Sequence, residues 1–162
     1  MDYFTTIMTR RSIRKYKKRP VKEEDLEKIL EAGRLAPSAN NQQEWFFVAV
    51  KKKELKEQLA RDCYEQTFIG DASAVIVVCL DKRIAKDHGP IDVAIATTQM
   101  WLAAVALGLS SCWIGAINPE AVSTTLELEN YLKPMAVLPI GYADEDPEPT
   151  SRKSLEEISQ II

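Results

Sequence analysis

RRSIR, residues 10–14, places three arginines and one serine within five positions. Guanidinium forks pair bidentately with phosphate oxygens, and a hydroxyl adds a short neutral donor, so this spacing suits a phosphate and polyol clamp. The stretch continues as RRSIRKYKKR, with seven Lys or Arg side chains in ten positions. The whole chain carries 21 basic and 24 acidic residues and a formal net charge of −3, so the positive charge is concentrated locally. The plainer reading of such a run is a solvated face or a flexible arm, with nucleic acid as an occasional partner.

Three other stretches carry polar chemistry. APSANNQQEW (36–45) offers small residues and amides that can line the edge of a planar heterocycle, since each amide has a donor and an acceptor. It reads equally as a helix-to-strand loop whose amides serve their own backbone. CWIGAI (112–117) has a glycine at the end of an apolar run, where a ligand can approach the backbone closely or a bulge can form. In PTSRKSLEEI, Arg152 stands just before a helix start and is either a further phosphate contact or surface.

Several functions are disfavoured by what is scarce. A single histidine, His88, leaves no material for a His-rich metal centre or a Ser-His-Asp triad, and ahead of Gly89-Pro90 it reads as a structural loop residue. The six glycines are scattered, so neither GxGxxG nor GxxxxGK[ST] can be drawn. Cys63, Cys79 and Cys112 form no CxxC and read as small buried hydrophobes in a reducing compartment. The first twenty residues have no apolar core of signal-peptide length, which favours a cytoplasmic setting.

The elements that must position these residues follow from periodicity. At 162 residues the chain is read as one domain, residues 1–162, able to bury roughly 70% of the surface of its unfolded form. Asp2 caps a first helix, DYFTTIMTR. VKEEDLEKILEAGRL has Leu26, Ile29, Leu30 and Leu35 near helical spacing, with acids in its first turn. KKKELKEQLARDCY is a second amphipathic helix, and Asn118-Pro119-Glu120 opens another. Ser154 and Glu157 form a capping box for a last short helix. Strands are expected at 45–50, 74–80, 110–117 and 135–142. The segment 91–109 is a helix apolar on nearly every side, interrupted by Asp92, Thr97, Thr98 and Gln99. It therefore belongs in a core or a subunit interface rather than a membrane.

The pieces in this order resemble the nitroreductase family of FMN-dependent oxidoreductases, in a short form. The likeness spans nearly the whole chain: RRSxR after the first helix; LAPSANNQQEWFF against LxAPSxxNxQxWxF; an alanine-rich helix ending in Gly108-Leu109; SCWIGAI; and Gly141-Tyr142 followed by Arg152. The resemblance implies an α+β fold, with a central, mostly antiparallel sheet flanked by helices, in an intertwined homodimer. It implies FMN at the subunit interface, with NADH or NADPH as electron donor and a small-molecule acceptor such as a nitroaromatic or quinone. No nucleic-acid or membrane partner is expected.

By the same resemblance, Arg10, Arg11, Ser12 and Arg14 hold the ribityl phosphate and the polar edge of the flavin, and Arg152 reaches the phosphate from the far end of the chain. Pro37, Ser38 and Ala39 come from the partner subunit, with Asn41 and Gln43 supporting the cofactor loop. Ile114 and Gly115 lie against the ring. No catalytic side chain and no metal ligand is assigned, because the cofactor carries the chemistry.

The sequence departs from the family pattern at four places. Glu44 stands where proline is common, which removes a rigid residue from the loop. Ile114 occupies a position that is acidic in some larger members. Thr150 replaces a second phosphate cation, and the segment between Cys63 and Ala74 is short, leaving the flavin more open. Two other functions stay open at this level: a flavin-binding or FMN-storage protein without efficient turnover, and a nucleic-acid-binding protein with a basic arm.

Overall fold

The computed structural model describes residues 2–162. Seven α-helices and three strands follow one another as α1 (Tyr3–Thr9), α2 (Glu23–Arg34), β1 (Trp45–Val50), α3 (Lys53–Asp62), α4 (Phe68–Asp71), β2 (Ala74–Asp81), α5 (Gly89–Ala106), α6 (Pro119–Thr125), β3 (Leu132–Ile140) and α7 (Leu155–Ile158). A short 3-10 turn spans Ala39–Asn41. The strands form one antiparallel sheet in the order β1-β2-β3.

β2 explains the layering. Every residue from Ala74 to Asp81 is buried, which is why this central strand reads as an unbroken apolar run rather than an alternation. Side chains two apart share a face. Ala74, Ile76, Val78 and Leu80 pack with Leu26 and Ile29 of α2 and with Val93, Met100 and Ala104 of α5. Val75, Val77 and Cys79 point the other way, onto Leu59 and Ala60 of α3 and Val122 of α6. The result is an α+β sandwich with a helix layer on each face of the sheet.

α5 is bounded by identifiable signals. Pro90 sits in its first turn, where a missing N–H costs nothing. At its end Gly108 adopts φ +75°, Leu109 N–H donates to the Ala104 carbonyl at 2.9 Å, and Gly108 N–H donates to that of Val105 at 2.9 Å. This is a Schellman termination, and the positive φ calls for glycine. The helix thus runs from Gly89 to Ala106 rather than over 91–109. It is also less enclosed than its composition suggests: Val93, Ala96, Met100 and Ala104 are buried, while Ile91 is 58% exposed.

One expected strand is broken. The segment 110–117 makes only isolated bridges, Ser110 to Gly141, Ile114 to Val137, and Ser111 to Ser12. The cause is a divided allegiance. Ser111 turns to accept the Ile13 N–H at 3.0 Å, so its pairing with β3 cannot run on continuously. The capping predictions hold: Asp2 accepts from Thr5 N–H at 3.1 Å, Asn118 from Ala121 N–H at 3.1 Å, and Ser154 and Glu157 form a reciprocal box.

The basic segment is fastened to this frame through Tyr16. Its ring is buried, and its hydroxyl donates to the Ile13 carbonyl at 2.7 Å. Gly141 lies against that ring: a Cβ there would sit 2.8 Å from Tyr16 Cδ1 and 3.4 Å from the Ser73 nitrogen. Gly141→Ala therefore overpacks a rigid neighbour and should destabilise the protein by about 1–3 kcal/mol in chemical denaturation. An unchanged midpoint would mean that the ring moves aside freely.

Cys63 and Cys79 are fully buried, and burial pushes both thiols up to about 12. A raised thiol pKa keeps the unreactive protonated form at pH 8. Neither cysteine should be alkylated by iodoacetamide in the native protein at that pH, whereas both should react in denaturant, as read by mass spectrometry.

Candidate functional site

The site begins where α1 ends. Arg10 N–H still donates to the Thr6 carbonyl at 3.1 Å, after which the chain extends and crosses beside Ser111. Ile13 and Tyr16 turn inward to the core. The loop after β3 holds the outer backbone: the Glu145 carboxylate accepts the Arg14 N–H and, at 3.1 Å, the Lys15 N–H, and Lys17 N–H donates to the Tyr142 carbonyl at 2.9 Å. Two ends of the chain are thereby sewn together.

This arrangement leaves Arg10, Arg11, Ser12 and Arg14 along one wall of a cleft of about 430 Å3, with Pro147, Glu148, Thr150 and Arg152 on the other. Four arginines thus line a cleft in which Glu148 is the single acidic residue. Among the described residues none of the four is in a salt bridge, unlike Arg34 with Glu31 or Arg83 with Asp81. Arg11 donates to the Met8 and Arg10 carbonyls at 2.9 and 3.0 Å. Arg152 donates to the Thr150 and Ser151 carbonyls at 3.2 and 2.9 Å.

Arg10 is the most constrained. Its guanidinium lies 4.4 Å over the Trp101 ring of α5, a cation–π contact that fixes its direction. Burial, with Arg152 and Arg11 nearby, lowers its pKa from the ordinary arginine value. Like charges crowded in a partly desolvated cleft favour an anion between them. Cys112 borders the same cluster, and burial raises its thiol despite Arg14, Ser12 and Arg10 acting in the opposite sense.

The amide-rich loop forms a second, separate cleft. Pro37, Ser38 and Ala39 line about 260 Å3 together with His88, Asp92 and Ile95. Buried Asp92 accepts the Ala39 N–H at 2.9 Å, and Ser38 Oγ accepts the Gln43 N–H at 2.9 Å. Asn40, Asn41 and Gln43 have φ of +52°, +56° and +56°, and Gln43 Nε2 donates to the Asn41 carbonyl at 3.1 Å. The amides shape this loop, so Asn41 and Gln43 act on its backbone conformation. Glu44 does not loosen it. Its side chain is wholly buried and links to Gln42, whose amide, oriented with nitrogen toward Glu44 Oε1 (3.0 Å), accepts from Lys86 Nζ at 3.1 Å.

Ile114 and Gly115 are divided in the same way. Ile114 is buried in the layer under α3 and α6, and its N–H and carbonyl are both engaged by Val137, at 3.0 and 2.9 Å. Gly115 is exposed, with its carbonyl accepting the Ile117 N–H at 3.1 Å. Within one chain the structure therefore unites the arginines and Ser12, gathers Pro37, Ser38 and Ala39 elsewhere, and leaves Ile114 in the core. Lys17, Lys18 and Arg19 do not line the arginine cleft, and Arg19 instead covers the Tyr142 ring at 3.9 Å. Sequence reasoning missed Trp101 and Glu145 as supports of the clamp, and Asp92 as the anchor of the loop. The one available signal was Asp92 itself, a carboxylate at the start of an apolar helix.

Among the described residues no three His, Cys, Asp or Glu side chains converge to hold a metal ion, and no helix is long and apolar enough to cross a membrane.

The chain is similar to known proteins in sequence and in fold. A provisionally named NADH dehydrogenase/NAD(P)H nitroreductase of Archaeoglobus fulgidus is 37% identical over 147 residues, covering 86% of this chain and 84% of the relative. A similarly named protein of Methanothermobacter thermautotrophicus is 35% identical over 153 residues, covering 91% and 80%. Among solved structures, an FMN-dependent nitroreductase of Clostridium difficile R20291 superposes with a TM-score of 0.90 at 29% identity, covering 98% of each chain. The sequence profile of the nitroreductase family matches residues 7–81 and 63–142. Motifs, fold and relatives agree, and the chain belongs to the nitroreductase family.

Proposed function

We propose that the protein is an FMN-dependent NAD(P)H oxidoreductase that reduces nitroaromatic, quinone or similar small acceptors. Relatives bearing the names FMN reductase [NAD(P)H], from Bacillus subtilis, and NADPH-flavin oxidoreductase, from Vibrio harveyi, support the reading. The observation that carries it is the arginine cleft. Arg10, Arg11, Arg14 and Arg152 come from opposite ends of the chain, share one space and find no ion-pair partner among the described residues. A phosphate dianion suits that donor set in charge and in hydrogen-bonding chemistry, so FMN fits the residues present.

The chain's own groups have limited tasks in this account. Arg10 and Arg152 bind the phosphate, with Arg10 aimed by Trp101; Arg11 and Ser12 complete the polar shell; Arg14, its amide fixed by Glu145, reaches toward the ring. Gly115 offers an uncovered backbone where the flavin ring would pass. Pro37, Ser38 and Ala39 act on the flavin of a second copy, with Asn41 and Gln43 holding their loop in shape. The redox step itself, hydride uptake from NADH or NADPH and delivery to the acceptor, is chemistry that the bound flavin supplies.

The exposed apolar side chains support a homodimer. Tyr3, Phe4, Ile7 and Met8 of α1 are each 42–75% exposed, and Leu155, Ile158, Ile161 and Ile162 at the C-terminus are at least 65% exposed. Ile91 of α5 is likewise exposed, and exposed large apolar side chains of this kind suit a subunit interface. A second copy covers them and brings its 37–39 loop to the arginine cleft.

The test is direct. Purified protein should be yellow, and NADH or NADPH added anaerobically should bleach it. A yellow protein that neither donor bleaches is a flavin carrier, and a colourless one that takes up no FMN overturns the reading altogether. Arg10→Ala or Arg152→Ala should weaken FMN retention roughly ten- to hundredfold, as loss of a charge-assisted contact of ~1.5–3 kcal/mol requires. Lys17→Ala should change it by less than ~0.5 kcal/mol. Equal losses in all three would mean that general basicity holds the ligand.

A further inference from the structure

The second cleft contains a side chain that the account so far does not use. His88 is the only histidine in the chain and lines the same space as Pro37, Ser38, Ala39, Asp92 and Ile95. Its ring is exposed, and among the described residues it has no hydrogen bond or ion pair. An imidazole N–H without a partner, beside a small, largely apolar cleft, is an available donor.

Its position is built rather than incidental. The His88 carbonyl accepts the Ile91 and Asp92 N–H groups at 2.9 and 3.0 Å, so its backbone is part of the first turn of α5. Gly89 lets that turn press against the end of β2, for a Cβ there would meet Leu80 Cδ1 at 2.8 Å and Ala85 Cβ at 3.1 Å. The preceding loop is tied down by Lys86 through Gln42 to buried Glu44, and Asp92 fixes Ala39. Both walls of the cleft, residues 37–39 and the start of α5, are therefore braced against one another. The backbone that carries the His88 ring is therefore fixed at the mouth of the cleft.

We propose that His88 is a specificity-determining residue of the acceptor site, donating a hydrogen bond from its ring N–H to an oxygen of the quinone or nitro group. The inference rests on the reading above, in which Pro37, Ser38 and Ala39 border the flavin of a second copy. An acceptor that stacks on that flavin enters the cleft that His88 also lines. Ile95 supplies the apolar side of the cleft and His88 the polar one, a pairing that suits a flat aromatic ring bearing an oxygen at its rim. The site discriminates against acceptors that cannot take that hydrogen bond.

The experiment uses the oxidised, FMN-loaded protein without NAD(P)H, so that no turnover occurs. With ring-labelled histidine the single His88 signal is unambiguous, and titration with 1,4-naphthoquinone should shift it saturably. In steady-state assays His88→Phe should raise the KM for naphthoquinone about tenfold, the loss of one hydrogen bond, while flavin content stays the same. His88→Gln, which keeps a donor, should stay within about threefold of wild type. Reduction of methylene blue, which carries no oxygen, should be indifferent to both changes. A His88 signal that does not move at saturating quinone overturns the proposal, as does a naphthoquinone KM unchanged in His88→Phe. So does a Gln variant as poor as Phe, or an equal effect on the dye, since either makes the role one of shape. A colourless protein that takes up no FMN removes the parent reading as well. A yellow, bleachable protein failing these tests removes this inference alone.

Discussion

The structure depends on an electrostatic constraint: four arginine side chains must share one cleft with only Glu148 to offset them. Arg14 and Arg152 are exposed and Arg10 and Arg11 half-buried, so water screens much of their mutual repulsion, and the cluster stays open to an anion. At Arg10 burial, and after it the charges of Arg152 and Arg11, lowers the pKa from the ordinary arginine value. A phosphate offsets these charges and makes each guanidinium useful. In the proposed reading, a ligand that binds only the folded chain stabilises it by mass action.

Much of the remaining architecture holds these charges in place. The antiparallel sheet buries β2 on both faces and gives β3 a fixed edge, along which residues 110–114 and then 10–17 are laid. Tyr16 locks the basic segment to that edge, Gly141 leaves room for its ring, and Glu145 ties the Arg14 and Lys15 amides. Arg152 arrives from beyond β3, so the cleft closes only when both ends of the chain are in place.

The sequence was legible where the signal was local. Caps at Asp2, Asn118 and Ser154, the apolar run of β2 and the arginine cluster follow from neighbouring residues, and each is found where expected. What could not be read was pairing at a distance. Nothing near Ser111 announces that it will bond to Ile13, yet that bond breaks the strand expected over 110–117. Asp92 looks like an interruption of an apolar helix until Ala39, 53 residues away, is seen donating to it. Glu44, in place of a common proline, suggested a looser loop; burial beside Gln42 and Lys86 makes it a brace. At Ile114 the sequence did not show that the side chain is buried and the backbone paired with Val137, since that partner lies 23 residues away.

The central claim is that the four arginines enclose one phosphate dianion. The 31P resonance of FMN bound to the protein tests it, followed from pH 5 to pH 8. Free phosphate monoesters take up a proton with a pKa of about 6, and the resonance moves accordingly. Held among Arg10, Arg11, Arg14 and Arg152, the dianion is favoured so strongly that its signal should be displaced from that of free FMN and flat across the whole range. A bound phosphate that titrates near 6, as it does in water, would contradict the account.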